Sequence, residues 1–278
     1  MLAKAAAVTY SGPGDVAGST AKFWWGLRAY SAAKAGTKAI KLCDHLGANC
    51  TDVLTSVSTG ALVAPTAIGA DNCTSITTCV IDTFYDQAGV LCTSSVACDV
   101  QQTTNANRAS FNWNSGTPFA VFDGASSVYS TPASLISAVT QTFTISVVTN
   151  VTTPPAGLQQ LISALNGNGG DTIGFTNNFT QSFWMYAGNN LPVVATTANV
   201  WQSVQALFND ASSSFEINGS TTIVPSTPGT QQFDAGQIAL GASAFNSTRF
   251  YGGNFREGGL WAGTPTDMTT NQRTFWGF

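Results

Sequence analysis

The sequence predicts an all-β sandwich or jelly roll. Short β-prone runs recur along most of the chain, and turn signals separate them at intervals of about 8–12 residues. The longest β-branched run is TFTISVVTNV at 142–151, and Asn218-Gly219 between two β-prone runs is a strong hairpin signal. The helix–strand alternation of βαβ units is missing from the sequence, which argues against a parallel α/β sheet.

The N-terminal part of the chain is the least regular. Residues 1–20 are small and rich in Gly, Pro and Ser, and they predict an extended N-terminal arm. Residues 21–35 combine aromatic residues with alanines and predict a short N-terminal helix. The runs at 37–42 and 79–85 predict strands. Since no linker or internal repeat follows, we expect residues 21–278 to form a single jelly-roll domain.

From about residue 118 onward, the sequence predicts one strand after another. The predicted strands are 119–122, 142–151, 161–165, 172–175, 182–186, 200–209, 215–217, 220–224, 237–241 and 250–261. Asn218-Gly219 favours a type I′ turn between two of them. Residues 267–276 predict a short terminal helix capped by Thr266 or Asp267.

The chain carries little charge. Only 9% of its residues are charged, where about 25% is usual. Most of the basic residues lie before residue 42, and no basic stripe follows a phosphate backbone, so we expect no nucleic-acid partner. The sequence has no apolar run long enough for a membrane helix, so we also expect no membrane insertion.

The cysteines predict local disulfide bridges. All six lie in one segment, as Cys43, Cys50, Cys73, Cys79, Cys92 and Cys98. Six cysteines allow fifteen connectivities, and pairing between sequence neighbours is the simplest of them. We therefore predict Cys43–Cys50, Cys73–Cys79 and Cys92–Cys98. Such bridges indicate an oxidising setting, either extracellular or on a particle that matures outside the reducing cytosol.

Two sets of residues resemble known families. Residues 73–89, CTSITTCVIDTFYDQAG, with RAYS at 28–31 upstream, resemble the catalytic domain of fungal α-L-arabinofuranosidase B. The strand series that ends in FREGGLW at 255–261 resembles the concanavalin A-like or laminin G-like jelly roll, to which that catalytic domain belongs. Together the resemblances imply a concanavalin A-like β-sandwich. WGLRAY at 25–30 and WGF at 276–278 are also similar to segments of bacteriophage proteins.

The resemblance implies that the catalytic carboxylates have been lost. The family's nucleophile is a Glu directly before Asn-Asn-Leu, and the matching stretch GNNL begins with Gly188. Its acid/base Asp precedes Asn-Ser, and the matching stretch FNS begins with Phe245. A retaining glycosidase needs two carboxylates about 5 Å apart, so we predict that the chain is not an enzyme.

Five residues remain as candidates for a ligand or structural site: Tyr85, Asp86, Gln87, Trp184 and Glu257. Glu257 is one of only two glutamates, and we expect a structural hydrogen bond or an Arg256 neighbour there. The carboxylate of Asp86 is suited to bonding turn N–H groups. Tryptophans such as Trp184 usually fill a core, although one or two of them are candidates for stacking on a glycan.

Metal and cofactor sites are not predicted. The single histidine, His45, lies in the short loop between Cys43 and Cys50, which is a poor place for a catalytic base. The cysteine spacing does not suit zinc, and the sequence has no phosphate-binding loop. Calcium stays open, with Asp86, Asp123 and Asp171 as candidate ligands, although no EF-hand-like run joins them.

The function that the sequence favours is a non-enzymatic virion protein with a lectin-like fold. We expect a head-decoration, collar or tail-fibre component that contacts other virion proteins or copies of itself and binds host glycans. The low charge, the disulfides and a start too weakly apolar for a secretory signal support this hypothesis. Two alternatives stay open: a stand-alone carbohydrate-binding adhesin, and an arabinofuranosidase-like hydrolase with relocated carboxylates.

Overall fold

The chain folds into antiparallel strands arranged in two layers. The computed structural model describes residues 10–69, 71–74, 79–89, 91, 98–132, 137–152, 157–165, 171–177, 182–223, 227–233, 236–244 and 248–278. The strands are β1 Ala21–Gly26, β2 Lys38–Cys43, β3 Cys50–Leu54, β4 Val80–Phe84, β5 Val100–Gln101, β6 Ser110–Asn112, β7 Phe119–Asp123, β8 Tyr129–Ser130, β9 Phe143–Val151, β10 Gln159–Leu165, β11 Asp171–Asn177, β12 Ser182–Tyr186, β13 Asn190–Ala195, β14 Gln202–Phe208, β15 Ser214–Ile217, β16 Ser220–Ile223, β17 Ile238–Leu240 and β18 Gly252–Ala262. Among these residues, two α-helices, α1 Pro13–Val16 and α2 Met268–Trp276, and four 3₁₀ turns complete the regular structure.

One layer has the order β16-β15-β14-β9-β18. The C-terminal half of β18 pairs with β1, and its N-terminal end pairs with β7. β7 in turn pairs with β6. The other layer has the order β3-β2-β4-β5-β8-β17-β10-β11-β12-β13. The pair Val80–Ser110 joins the layers. This arrangement confirms the predicted all-β sandwich with a jelly-roll-like fold and local disulfides.

The core lies between the layers and explains the sequence of β9. Every residue of β9 is buried, because one face packs in the core and α2 lies near the other. On that second face, Gln272 of α2 accepts hydrogen bonds from Ser146 and Ser203. A strand that is covered on both faces has no alternation of apolar and polar residues, and this explains the continuous β-branched run at 142–151.

The prediction of a helix over residues 21–35 is wrong. Residues 21–26 form strand β1, and only Ala32–Lys34 make one 3₁₀ turn. Trp25 packs in the main core, whereas Trp24 packs in a second cluster with Tyr30 and Trp261. Because apolar groups cover both faces of β1, its apolar and polar residues do not alternate. The pattern of its sequence therefore does not distinguish a strand from a buried helix. The short N-terminal helix lies earlier, at α1.

The N-terminal residues that the structure describes lie against the domain. The Tyr10 hydroxyl donates to the carbonyl of Ala29, and the Ser11 carbonyl accepts a hydrogen bond from Asn271 of α2. Residues 1–9 of the predicted arm lie outside the described residues.

Two predicted disulfides are confirmed. Cys43 bonds Cys50 across the β2–β3 hairpin, and Cys73 bonds Cys79. The third predicted pair includes Cys92, which lies outside the described residues. The two bridges indicate an oxidising setting. Among the described residues, no helix has the length and apolar character to cross a membrane.

Candidate functional site

Asp86 fastens the loop after β4 to strand β1. Its carboxylate accepts hydrogen bonds from the backbone N–H groups of Trp24 (3.0 Å), Ala88 (3.0 Å) and Gly89 (3.1 Å). Burial raises the pKa of Asp86, and the three backbone donors act against that shift. All of these contacts hold the chain in place, so the carboxylate acts as a structural brace.

Gln87 continues this brace. Its amide nitrogen donates to the carbonyls of Gly26 (3.1 Å) and Arg28 (3.0 Å), and its amide oxygen accepts from the Tyr30 N–H (2.8 Å). The side chain is buried. The Asp86-Gln87 dipeptide thus sets the path of the segment that follows β1.

Glu257 lies in a fully buried ion pair with Arg28. The two guanidinium nitrogens Nε and Nη2 donate to the carboxylate at 2.5 Å and 2.8 Å, and both side chains are 0% exposed. Phe275 of α2 covers the guanidinium, whose central carbon lies 4.4 Å from the ring centroid. The partner is Arg28 and not the expected neighbour Arg256.

Arg256 is held by aromatic rings. Its guanidinium carbon lies 3.8 Å from the ring centroid of Trp201 and 4.8 Å from that of Trp276. Burial lowers the pKa of Arg256 to about 10, and the negative charge of Glu257 opposes that shift. These tryptophans therefore serve cation–π packing and are not open platforms.

Gly188 lies in the turn between β12 and β13, where the resemblance places the nucleophile. Its φ of +109° is unfavourable for any other residue, and a Cβ there would lie 3.3 Å from Cδ of Gln231. The segment 228–231 crosses this turn: the Pro228 carbonyl accepts from the N–H groups of Ala187 and Asn189. We call segment 228–231 the strap. Phe245, which the resemblance matches to the acid/base position, lies outside the described residues.

The remaining sequence candidates are spread over the molecule. Trp184 is half-buried on β12, and its Nε1 has no hydrogen-bond partner within the described part of the chain. Asp123 accepts hydrogen bonds from the N–H groups of Ala125, Ser126 and Ser127, so its oxygens serve a turn. Asp171 begins β11. Across the described ranges, no cluster of three or more His, Cys, Asp or Glu side chains is arranged for a metal ion.

A polar groove lies over the second layer, on the face opposite the core. Its volume is about 540 Å³, within the range typical of ligand sites. Its floor is a row of cross-strand neighbours from β2, β4, β5 and β8, which we call the polar row: Lys41, Thr83, Gln101 and Ser130. The other lining residues are Tyr85, Asp99, Thr103, Thr131, Pro132 and Gln237.

Strand alternation places these residues together. Ile40, Leu42, Phe84, Val100 and Tyr129 point into the core, so their neighbours along each strand point outward. Since the register pairs Lys41 with Thr83, Thr83 with Gln101 and Gln101 with Ser130, the outward residues form a continuous line.

A buried carboxylate beneath the groove fixes part of the polar row. Asp82 is the extra residue of a β-bulge in β4, because Thr83 pairs with Lys41 and Ile81 with Leu42. One of its oxygens accepts from the Thr83 hydroxyl (2.7 Å) and the Gln101 amide (3.2 Å), and the other pairs with Arg108. Thr83 and Gln101 are therefore held in one orientation.

Two carboxylates in and beside the groove, Asp99 and Asp52, accept hydrogen bonds from the protein. Asp52 accepts from Lys38 and from the Tyr85 hydroxyl, both at 2.5 Å, and these bonds hold its pKa below the ordinary value although burial opposes them. Burial raises the pKa of Asp99, which also accepts a hydrogen bond from the Asp86 N–H (2.7 Å).

Four groove side chains have no protein partner. Lys41, Thr103, Ser130 and Gln237 make no side-chain hydrogen bond or ion pair within the residues that the structure describes. These groups, with the remaining lone pairs of Asp99 and Gln101, offer both donors and acceptors to a ligand. Of the sequence candidates, only Tyr85 lines this groove.

Comparison with solved structures identifies the fold. The chain aligns with an arabinofuranosidase complexed with arabinofuranosyl-α-1,2-xylobiose at a TM-score of 0.67 and 16% identity, over 95% of this chain and 64% of that chain. It aligns with a GH54 α-L-arabinofuranosidase soaked with a cyclic sulfate inhibitor at a TM-score of 0.67 and 14% identity, with the same coverage. The chain thus spans 64% of their length, and the likeness confirms the arabinofuranosidase-like fold that the sequence resemblance implied.

No protein-family model and no curated protein matches the sequence.

Proposed function

We propose that this protein is a non-catalytic glycan-binding module that holds a carbohydrate in the polar groove. The observation that carries the proposal is the set of four unpartnered polar side chains over a rigid sheet floor. Sugar hydroxyl groups both donate and accept hydrogen bonds, and this mixture of ammonium, carboxylate, amide and hydroxyl groups is complementary to them. The arabinofuranosidase-like fold supports a carbohydrate as the ligand class, by analogy only.

The arrangement of carboxylates supports a binding function over hydrolysis. Glycoside hydrolysis uses two carboxylates, about 5 Å apart in retaining enzymes and farther apart in inverting ones. Of the groove residues described, only Asp99 carries a carboxylate. Glu257 is paired with Arg28 in the interior, and position 188 is a glycine.

The alternative is an arabinofuranosidase-like hydrolase with relocated carboxylates. It predicts release of nitrophenol from a nitrophenyl α-L-arabinofuranoside by the purified chain, at a rate that Asp99→Asn abolishes. We expect no release above the rate of the buffer alone. Turnover that depends on Asp99 would refute the non-catalytic assignment.

A glycan array followed by calorimetry tests the binding proposal. The wild-type chain is applied to the array, and its strongest ligand is titrated into wild type, Lys41→Met and Lys34→Met. Lys41 lines the groove, whereas Lys34 lies in the 3₁₀ turn outside it. We expect Lys41→Met to weaken binding at least tenfold and Lys34→Met to leave it unchanged. An array without a hit, or equal affinities in all three proteins, would refute the proposal.

Assembly with other copies is a second candidate function. Leu54, Val57 and Val63 are 43%, 81% and 46% exposed around a groove beside β3. β3 pairs with β2 on one side and, among the described residues, has only the short Thr55–Leu62 bridge on the other. An exposed strand edge with apolar neighbours favours strand pairing, and two identical edges are complementary through a twofold axis.

This second candidate extends to the proposed virion role, in which copies of the chain assemble on a particle. Light scattering on the purified chain is expected to give a dimer, and Leu54→Lys a monomer. Electron microscopy of purified particles, with antibodies against the chain, tests the virion location. A wild-type monomer that no particle carries would refute both parts.

A further inference from the structure

We infer that the polar groove takes a neutral oligosaccharide of at least three units whose chain runs across the strands. This inference rests on the proposed glycan-binding function and narrows it to one ligand class. Three features carry it: the length of the polar row, the position of its unpartnered groups, and the balance of charge around it.

The length of the polar row exceeds that of a single sugar. The row crosses four adjacent strands, from Lys41 on β2 to Ser130 on β8. At about 4.8 Å between neighbouring strands, the three steps give about 14 Å. Gln237, directly before β17, extends the groove to a fifth strand. A monosaccharide reaches only part of this line, whereas an oligosaccharide across the strands contacts all of it.

Three of the four unpartnered groups lie at the ends of the line, and the fourth, Thr103, lies two residues after Gln101 of β5. Lys41 is at one end, and Ser130 and Gln237 are at the other, while the hydroxyl of Thr83 and the amide nitrogen of Gln101 in the middle are held by Asp82. A ligand that satisfies only one end leaves the other end to water. Binding free energy is therefore expected to grow until the chain spans both ends.

The charges that line the groove cancel. Lys38 is paired with Asp52 at 2.5 Å, and the two ionisable groups of opposite sign that line the groove are Lys41 and Asp99. Asp82 beneath the floor is paired with Arg108. With no excess of positive charge, the groove offers no electrostatic preference for an acidic glycan. Hydrogen bonds to neutral hydroxyl groups remain as the main source of recognition.

Calorimetry with oligosaccharides of defined length tests the inference. The probes are gluco-, xylo- and arabino-oligosaccharides of one to six units, with oligogalacturonides of the same lengths as acidic counterparts. We expect the Kd of a neutral series to fall at least tenfold between one and four units and then to level off. We also expect no acidic oligomer to bind more tightly than the neutral one of equal length.

Variants at the far end of the groove locate the chain. Gln237→Ala and Ser130→Ala are expected to weaken binding of the tetramer at least threefold and to leave binding of the shortest detectable ligand unchanged. Gln232→Ala, at an exposed position that does not line the groove, is the matched control and is expected to bind both ligands as wild type does. Thermal melting confirms that each variant is folded.

The outcomes separate this inference from the proposed function. A monosaccharide that binds as tightly as the tetramer, or a preference for oligogalacturonides, overturns the inference and leaves glycan binding in place. Equal effects of Ser130→Ala on short and long ligands also overturn it. Absence of binding to every glycan, on the array and in solution, overturns the proposed function itself.

Discussion

Replacing Glu257 by Gln distinguishes a structural carboxylate from a catalytic one. Arg28 and Glu257 are both 0% exposed and share two hydrogen bonds of 2.5 Å and 2.8 Å. Glu257→Gln keeps the shape of the side chain but removes its charge, so the guanidinium of Arg28 stays buried without a counter-ion. Breaking a buried pair in this way costs about 3–5 kcal/mol of the free energy of unfolding.

The expected shift in melting temperature follows from this cost. For a chain of this size, 1 kcal/mol corresponds to roughly 2–4 °C, so Glu257→Gln is expected to lower the melting temperature by roughly 6 °C or more. Urea unfolding followed by tryptophan fluorescence gives the free energy directly, with the slope of the transition as a check on cooperativity. Glu216→Gln is the matched control, because Glu216 is the other glutamate and is only partly buried.

A double variant completes this test. Arg28→Met with Glu257→Leu removes both charges and leaves apolar groups of similar volume, which is often close to neutral for a buried pair. The double variant is therefore expected to be more stable than Glu257→Gln. If Glu257→Gln melts within 1 °C of wild type, or if the double variant is the least stable of the set, the structural role assigned to the pair is wrong.

Three further predictions follow from the structure. Burial raises the pKa of Asp99 above its ordinary value of 3.8, so the carboxylate is protonated, and glycan affinity falls, already above pH 3.8. In calorimetry, Asp99→Asn is expected to bind more weakly than wild type and to lack this pH dependence. Because the raised pKa means that the ionised carboxylate of Asp99 destabilises the folded state, Asp99→Asn is also expected to be at least as stable as wild type at neutral pH. Gly188 has φ +109° and lies beside Gln231, so Gly188→Glu is expected to lower the free energy of unfolding, measured in urea, by at least about 1–2 kcal/mol. We expect this variant to gain no glycosidase activity. Release of nitrophenol from an arabinofuranoside by Gly188→Glu would contradict that expectation. Cys43→Ser with Cys50→Ser opens a disulfide between residues seven apart and is expected to lose about 2–3 kcal/mol, whereas unchanged stability would mean that the bridge contributes nothing.

Local signals in the sequence predicted much of the second half of the fold. Asn218 and Gly219 have φ values of +51° and +89°, as a type I′ turn requires, and the flanking runs form β15 and β16. The terminal helix was also predicted nearly at its observed bounds. The signals failed where burial on both faces removed the alternation, as in β1, and where a strand is only two residues long, as in β5 and β8.

The contacts of the candidate site were harder to predict, because they join distant parts of the chain. Glu257 and Arg28 are 229 residues apart, and the pairing of Gly26 with Glu257 in neighbouring strands brings them together. The polar row draws single residues from four strands, and each residue alone is an ordinary outward-facing polar position. A known register is needed to align them, and the bulge at Asp82 adds a shift that composition does not reveal.

The backbone conformation around Gly188 favours glycine at this position. Gly188 and Gly229 of the strap both have φ +109°, and a Cβ on Gly229 would lie only 1.9 Å from the carbonyl oxygen of Ala187. Two glycines therefore maintain a single backbone path in which the strap closes over the turn, and the Gln231 side chain lies where a side chain at 188 would extend. A carboxylate at position 188 would require the Gln231 side chain to move aside and would put a residue other than glycine at φ +109°. The sequence resemblance would place the reacting sugar at this turn, whereas the unpartnered polar groups favour the groove on the outer face of the second layer.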